Sequence, residues 1–441
     1  MAFKIQFDWQ PELVDETNFS GSYGLLKIFA GDQNLTDNRS KLTNLFQEGV
    51  VVSAIPLAEW FVSNWHFLNF EQHFTQHFKD EFAFESRHRV LHANYGFVWP
   101  DITFIRFGDS IKIESRKLEI ESTELIFTSV LDGSWIDVAD FEREIFQFVN
   151  KVVEFLGEQN ELIIDLIADW KTIQNLDSDE SDFSKVSASL GYNPFTVEDE
   201  IANQIIQLKS HIPKDFVYEF SNFLHPVNFL KEAKKIDQVF EKFEKEVILG
   251  SSQLSIFKSS IVGFDSDLAK PWERGYYLAK KLTEILGFGE TIIREGEEAL
   301  FRKFELEENE QKKAIIYCDS LLIFIDAALL YSSGNPLMLI NESRGDNRKF
   351  AFLRLIYKYL NQDKKARSFV FGKNNNGFDE QVSRAFAAEF LAPQGALRKE
   401  LGNKKVLAKS ELRKLAEKWI IPEKVLIHQI NNHEIVKISD Y

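Results

Sequence analysis

Two cations four residues apart, Arg354 and Lys358, have the setting in this sequence that most needs a chemical account. Around them Phe350, Phe352, Leu353, Leu355, Ile356, Tyr357, Tyr359 and Leu360 form a nearly unbroken apolar run. Asn347, Ala351, Arg354, Lys358 and Asn361 recur at steps of three and four, which is one face of a helix. A helix apolar over most of its circumference is buried. An unpaired buried charge is costly, so this stripe must face a specific partner. A guanidinium and an ammonium offer no lone pair to a metal at neutral pH, and Leu355 cannot take a proton from water.

Histidine supplies the other candidate chemistry. His73 and His77 are four apart, as zinc ligands on a helix can be, and Asp80 or Glu81 is near enough in sequence to complete a metal site. Phe74, Thr75 and Gln76 lie between them, so the general-base Glu of a helical zinc-protease motif is missing. His88 and His92 share the spacing but read as a pair with ordinary hydrogen bonds. Glu59, Trp60 and Trp65 read as helix packing with one ionised residue. No Walker loop, dinucleotide fingerprint or Ser-His-Asp order is present.

The run Ser383-Arg384-Ala385-Phe386-Ala387-Ala388-Glu389-Phe390-Leu391-Ala392-Pro393, and Arg348-Lys349-Phe350-Ala351-Phe352 upstream, carry a resemblance. Over its last third the chain resembles the ImmA/IrrE family of metallopeptidase-like proteins. There a strand and short loop lead into a His-Glu-x-x-His helix, followed by a helix with a third ligand and a run of this kind. Glu380 sits at the third-ligand position, but Arg354 and Lys358 replace the two histidines and Leu355 the catalytic Glu. The resemblance therefore implies a zincin-like α+β domain without zinc or peptide hydrolysis through this helix, and no other cofactor. Glu380 is expected to pair with the two cations in place of a metal. That pairing is read either as a domain staple or as the floor of a retained partner groove, with Arg384, Phe386 and Glu389 as contacts. The implied partner is a protein: a helix-turn-helix regulator, a toxin or a phage-defence component. Pro56-Leu57-Ala58-Glu59-Trp60 and the Arg87-His88 to Gly96-Phe97 region are similar to N-terminal extensions of long, degenerate members, which implies no activity.

The elements that must position these residues are predicted as α+β. Residues 1–135 are expected to be a β-rich domain, with strands at 3–7, 25–29, 50–55, 111–113 and 125–130, turns at Gly31-Asp32, Gly108-Asp109 and Asp132-Gly133, and a helix from Pro56 to Trp65. Residues 136–310 read as a helical domain. Asp137 opens a helix with the stripe Phe141, Ile145, Phe148, Val149, Val152 and Phe155. Helices at 161–175, 181–190, 197–210, 226–246, 272–286 and 290–306 follow, and Asp177 to Asp182 reads as a loop. Residues 311–441 form the peptidase-like domain, with strands at 314–317, 321–325 and 337–340. Its later helices, capped by Ser410-Glu411 and opened by Pro422-Glu423, have a helix-turn-helix rhythm.

Composition bounds the partners. The 441 residues carry a formal charge of −16, yet from Arg344 to Tyr441 there are 20 Lys plus Arg against 11 Asp plus Glu, a surplus of +9. The preceding residues therefore carry −25. A basic C-terminal region can meet nucleic acid or an acidic protein, and Lys364, Lys365, Arg367, Arg398, Lys399, Lys404 and Lys405 lie in or near its loops. The single Cys318 excludes an internal disulfide framework and suits a reducing cytoplasm. No apolar run approaches a membrane span, and the first residues alternate like a strand, not a signal peptide. The reading carried forward is a cytoplasmic regulatory protein with a catalytically inactive site that binds a partner protein. Two alternatives stay open: a metal-dependent hydrolase at His73, His77 and Glu81, and a DNA-binding regulator using the basic region.

Overall fold

The strand Phe3–Trp9 pairs antiparallel with Tyr23–Ala30, which in turn pairs with Val50–Ser53. Their alternating apolar side chains put Phe3, Ile5, Leu26, Ile28, Val50 and Val52 on a buried face. The computed structural model describes residues 2–12, 19–72, 80–108, 110–157, 160–212, 217, 220–244, 258, 270–292, 297, 300–301, 304, 315–319, 321, 324–332, 335–361, 368–372 and 378–439. His73, His77, Lys364, Lys365, Arg367 and most of the helix expected at 290–306 lie outside them. The fold is mixed α+β and divides into two compact units, Met1–Ala233 and Lys234–Tyr441.

In the first unit, two further small sheets join the first. One contains Asn38–Ser40 and Leu125–Phe127, and the other runs Leu131–Asp137, Ser110–Arg116, Asp101–Phe107. The helix Val138–Leu156 is capped by Asp137, whose carboxylate accepts the Ala139 N–H at 2.8 Å. Its stripe enters the core of the strands. Phe141 meets Phe3 and Phe104 at ring separations of 5.3 and 5.0 Å, so sheet and helix share one apolar core. Phe155, expected in that stripe, is half-exposed and stacks on Trp9.

Local chemistry accounts for several departures. Ser53 accepts the Ile55 N–H and ends the strand expected at 50–55, so the helix runs Ala54–Ser63 and Pro56 falls in its first turn. Asp132-Gly133 is not a turn between elements but a bulge inside the strand Leu131–Asp137, with Gly133 at φ 95° and the register shifting before Ser134. The acid run at 177–182 begins a helix. Asp177 accepts the Glu180 N–H while Glu180 accepts the Asp177 N–H, a capping box that opens Ser178–Ser189. The strand Asp101–Phe107 was not anticipated.

The second unit is built on a four-stranded sheet in the order Ile315–Cys318, Asn335–Asn341, Ile325–Ser332, Ser368–Phe371. The first pair is parallel and the other two are antiparallel. The strand expected at 321–325 instead runs Ile325–Ser332, where Asp326-Ala327-Ala328 carries little β-propensity yet is buried in the sheet centre. Buried Asn341 donates to the Ile325 carbonyl and accepts the Ser343 N–H, fixing the exit from its strand. A 3-10 turn, Glu342–Asn347, then leads into the cation helix Arg348–Asn361. The acid helix Phe378–Leu391 packs beside it.

The helix Pro271–Ile285, placed by the sequence reading in the middle region, lies along the acid helix. Gly275 makes that approach possible: a Cβ there would stand 2.6 Å from both Ala385 Cβ and the Val382 carbonyl. The small residues of the Ala385 to Ala388 run thus serve close packing. Helices Lys409–Trp419 and Glu423–Asn432 follow, joined by Ile420 to Pro422. Ala408, not Ser410, holds the cap position of the first, where Glu411 accepts its N–H at 3.3 Å. No helix among the described residues is long and apolar enough to cross a membrane.

Candidate functional site

The stripe of the cation helix meets the acid helix inside the second unit. Arg354 is 1% exposed and Glu380 2%. Arg354 donates from Nη2 to Glu380 Oε2, from Nη1 to the Phe371 carbonyl at 3.0 Å, and from Nε to Ser383 Oγ at 3.3 Å. Asp326 Oδ2 lies 3.7 Å from Arg354 Nη1. Lys358 Nζ sits 2.9 Å from Glu380 Oε1 and also pairs with Asp379, which accepts the Tyr357 hydroxyl at 2.6 Å. Glu380 thus stands between the two cations, and Leu355 faces the core.

Electrostatics keep this cluster ionised. Burial pushes the Glu380 carboxyl up, but the charges of Lys358, Arg354 and Arg384 outweigh it and hold it below its usual 4.5. Asp379, whose side chain is half-exposed, is lowered too: its partial burial raises it, while Lys358, the Tyr357 hydrogen bond and Arg274 prevail. Burial, reinforced by Asp379, drives the Tyr357 phenol far above its usual 10, so it stays a donor. A carboxylate held this firmly ionised is a poor general base. Ser383 Oγ donates to the Glu380 carbonyl at 2.9 Å and accepts from Arg354, so no base activates it as a nucleophile.

A cavity of about 440 Å³ opens beside the network. Arg354, Asp326 and Arg384 line it from within, Trp272, Tyr276 and Phe350 give it aromatic walls, and Lys424, His428, Gln429 and Asn432 come from the helix Glu423–Asn432. Of the three residues expected to contact a partner, Arg384 lines the cavity. Phe386 instead points into the core, 5.8 Å from Tyr357 by ring centres. Glu389 is buried behind the wall, bonded by Gln429 Nε2 at 2.7 Å, the Gln394 N–H at 3.2 Å and His433 Nε2 at 3.3 Å. Trp272 and Tyr276 carried no sequence signal for this site. Asp326, an acid within an otherwise apolar run, did carry one.

The other candidates fall elsewhere. Glu81 is exposed in the first turn of the helix Glu81–His88, and Asp80 caps that helix by accepting the Phe82 and Ala83 N–H groups. Among the described residues no three His, Cys, Asp or Glu side chains are grouped to hold a metal ion. His88 is fully buried, with Nδ1 2.9 Å from the Phe104 carbonyl and Nε2 3.3 Å from Glu71, which Arg87 also holds with two bonds at 2.8 and 2.9 Å. Burial, only partly offset by Glu71, lowers the His88 pKa and favours the neutral ring. Trp60 donates to the Ser86 carbonyl and Trp65 packs on Trp170.

The helix pair with the helix-turn-helix rhythm is present as Lys409–Trp419 and Glu423–Asn432. Val425, Leu426, Gln429 and Ile430 are buried, and Lys424, His428 and Asn432 border the cavity. Comparison of the chain with family models, with curated proteins and with solved structures finds no match.

Proposed function

We propose that the C-terminal unit is a degenerate ImmA/IrrE-like domain that binds a partner protein without cutting it. The observation that supports this is the placement of Glu380 between Arg354 and Lys358 beside a cavity of about 440 Å³. The network supplies rigidity, because Glu380 pairs with both Arg354 and Lys358 in the interior, and the cavity supplies the recognition surface. The partner classes remain those the resemblance implies: a regulator, a toxin or a defence component.

The test is purification of the tagged full chain from its own cells, as wild type and as Asn432→Trp. Asn432 is exposed at the cavity edge, so the indole blocks access without entering the core. The expected result is one protein recovered intact and in proportion with the wild type, and depleted about tenfold by the variant, a change of ~1.4 kcal/mol. Equal recovery with both forms, or recovery of a cleaved partner, overturns the proposal.

A further inference from the structure

Three cations line the cavity, Arg354, Arg384 and Lys424, against one carboxylate, Asp326. Arg354 is already engaged by Glu380 and the Phe371 carbonyl. Arg384 and Lys424 line the cavity from different helices. Burial first, and the charge of Arg354 second, pull the Arg384 guanidinium down to about 10 despite Glu380 and Asp326. An anion entering the cavity relieves that repulsion, and a guanidinium fork suits a carboxylate.

A second feature selects among anions. Gln429 is fully buried and lines the same cavity, and its Nε2 donates to Glu389 and to the Ala392 carbonyl. Its Oε1 is left without a hydrogen-bond partner among the described residues. A buried unpaired acceptor is costly, and a ligand carrying an N–H or O–H donor satisfies it. A peptide has an N–H donor at nearly every residue, whereas a phosphomonoester dianion has none. Trp272, Tyr276 and Phe350 add aromatic walls for an apolar side chain next to the acid.

We infer that the cavity receives an acidic segment of the partner protein, its carboxylate on Arg384 and Lys424 and a backbone N–H toward Gln429. This rests on the partner-binding reading and names the chemistry the partner must present.

Selection of displayed random peptides on the full chain tests it, followed by affinity measurement on wild type, Arg384→Gln and Lys424→Gln. Enriched peptides should carry Asp, Glu or a free C-terminal carboxylate beside an aromatic residue. Their affinity should fall about tenfold with Arg384→Gln, severalfold with Lys424→Gln, and equally when the peptide acid is replaced by its amide. Lys424 is exposed, so its variant reports on binding even if the Arg384 change disturbs folding. Enriched peptides that lack acids but are displaced by Asn432→Trp overturn the acidic assignment and leave the partner reading standing. Affinity unchanged by both cation variants, displacement of peptide by equimolar inorganic phosphate, or no enrichment at all also overturns it, and the partner reading is then judged by its own co-purification.

Discussion

Glu380→Ala removes the one carboxylate that both cations share. It leaves Arg354 and Lys358, buried and like-charged, without their common counter-ion. Breaking a buried pair by removing one partner costs about 3–5 kcal/mol. Two features hold the expected value near the lower end. Lys358 keeps Asp379, whose side chain is 48% exposed, so water softens the remaining charge. Arg354 keeps the Phe371 carbonyl, Ser383 and Asp326. The expected loss is therefore about 3 kcal/mol. With a urea slope of about 2 kcal/mol per molar, the midpoint should fall by about 1.5 M. Because the chain has two compact units, the transition of the second must be read separately, through hydrogen exchange of amides in the cation helix. Pairing Arg354→Met with Glu380→Leu should recover most of the loss, since apolar replacement of a buried pair is often near neutral and Lys358 retains Asp379. A loss below about 0.5 kcal/mol for Glu380→Ala, the size of an ordinary surface change, would refute the network as a structural element.

Four further outcomes follow from particular side chains. Gly275→Val should cost about 1–3 kcal/mol by overpacking, seen as a lower melting temperature of the second unit, because its Cβ meets Ala385 and the Val382 carbonyl; wild-type stability would show that the helices separate freely. Burial lowers His66 from 6.5 to about 4, and neither ring nitrogen has a hydrogen-bond partner among the described residues. The folded state thus resists protonation, so stability is complete above pH 6.5 and falls by roughly 3 kcal/mol as pH drops toward 4; denaturation across that range should be flatter in His66→Leu, and identical slopes would contradict the assignment. Elemental analysis should find no stoichiometric zinc on a variant lacking His73 and His77; one zinc per chain there would mean that the Arg354 site binds metal after all. Mixed-sequence duplex DNA should bind no tighter than ~1 μM near physiological salt; tighter binding that disappears with Lys404→Ala and Lys405→Ala would promote the nucleic-acid reading.

Periodicity made much of the fold legible. The stripe Asn347, Ala351, Arg354, Lys358 and Asn361 identified a buried helix with something to pair, and the acid helix was visible from Phe378 onward. Elements failed to show where local chemistry departs from the average pattern. Asp132-Gly133 has the composition of a turn, yet a bulge uses the same glycine freedom inside a strand. The Asp177 acids look like a solvated loop because a capping box and a loop draw on the same residues. Asp326 to Ala328 fails strand propensity but is held by neighbours on both sides. The helix Pro271–Ile285 could not be assigned to the last unit because the reason for its place, the missing Cβ at Gly275, is a tertiary fact.

The candidate site was legible for the charges that oppose each other across two predicted helices, and not for those that complete the balance. With Asp326 and Asp379 added, four cations, Arg274, Arg354, Lys358 and Arg384, act on three acids, Asp326, Asp379 and Glu380. That mutual pairing makes the cluster tolerable in a low-dielectric interior, where each unmatched ion costs several kcal/mol. It also makes the cluster resistant to piecemeal change. Replacing Arg354 alone by a neutral ligand takes a shared counter-ion from Glu380 and Asp326, and replacing Glu380 alone takes one from Arg354 and Lys358. A metal site and this site are therefore separated by several coordinated substitutions, each unfavourable by itself. The bordering Lys424 stands outside the network and is exposed, which is why Lys424→Gln should weaken an acidic ligand while leaving the folded unit intact.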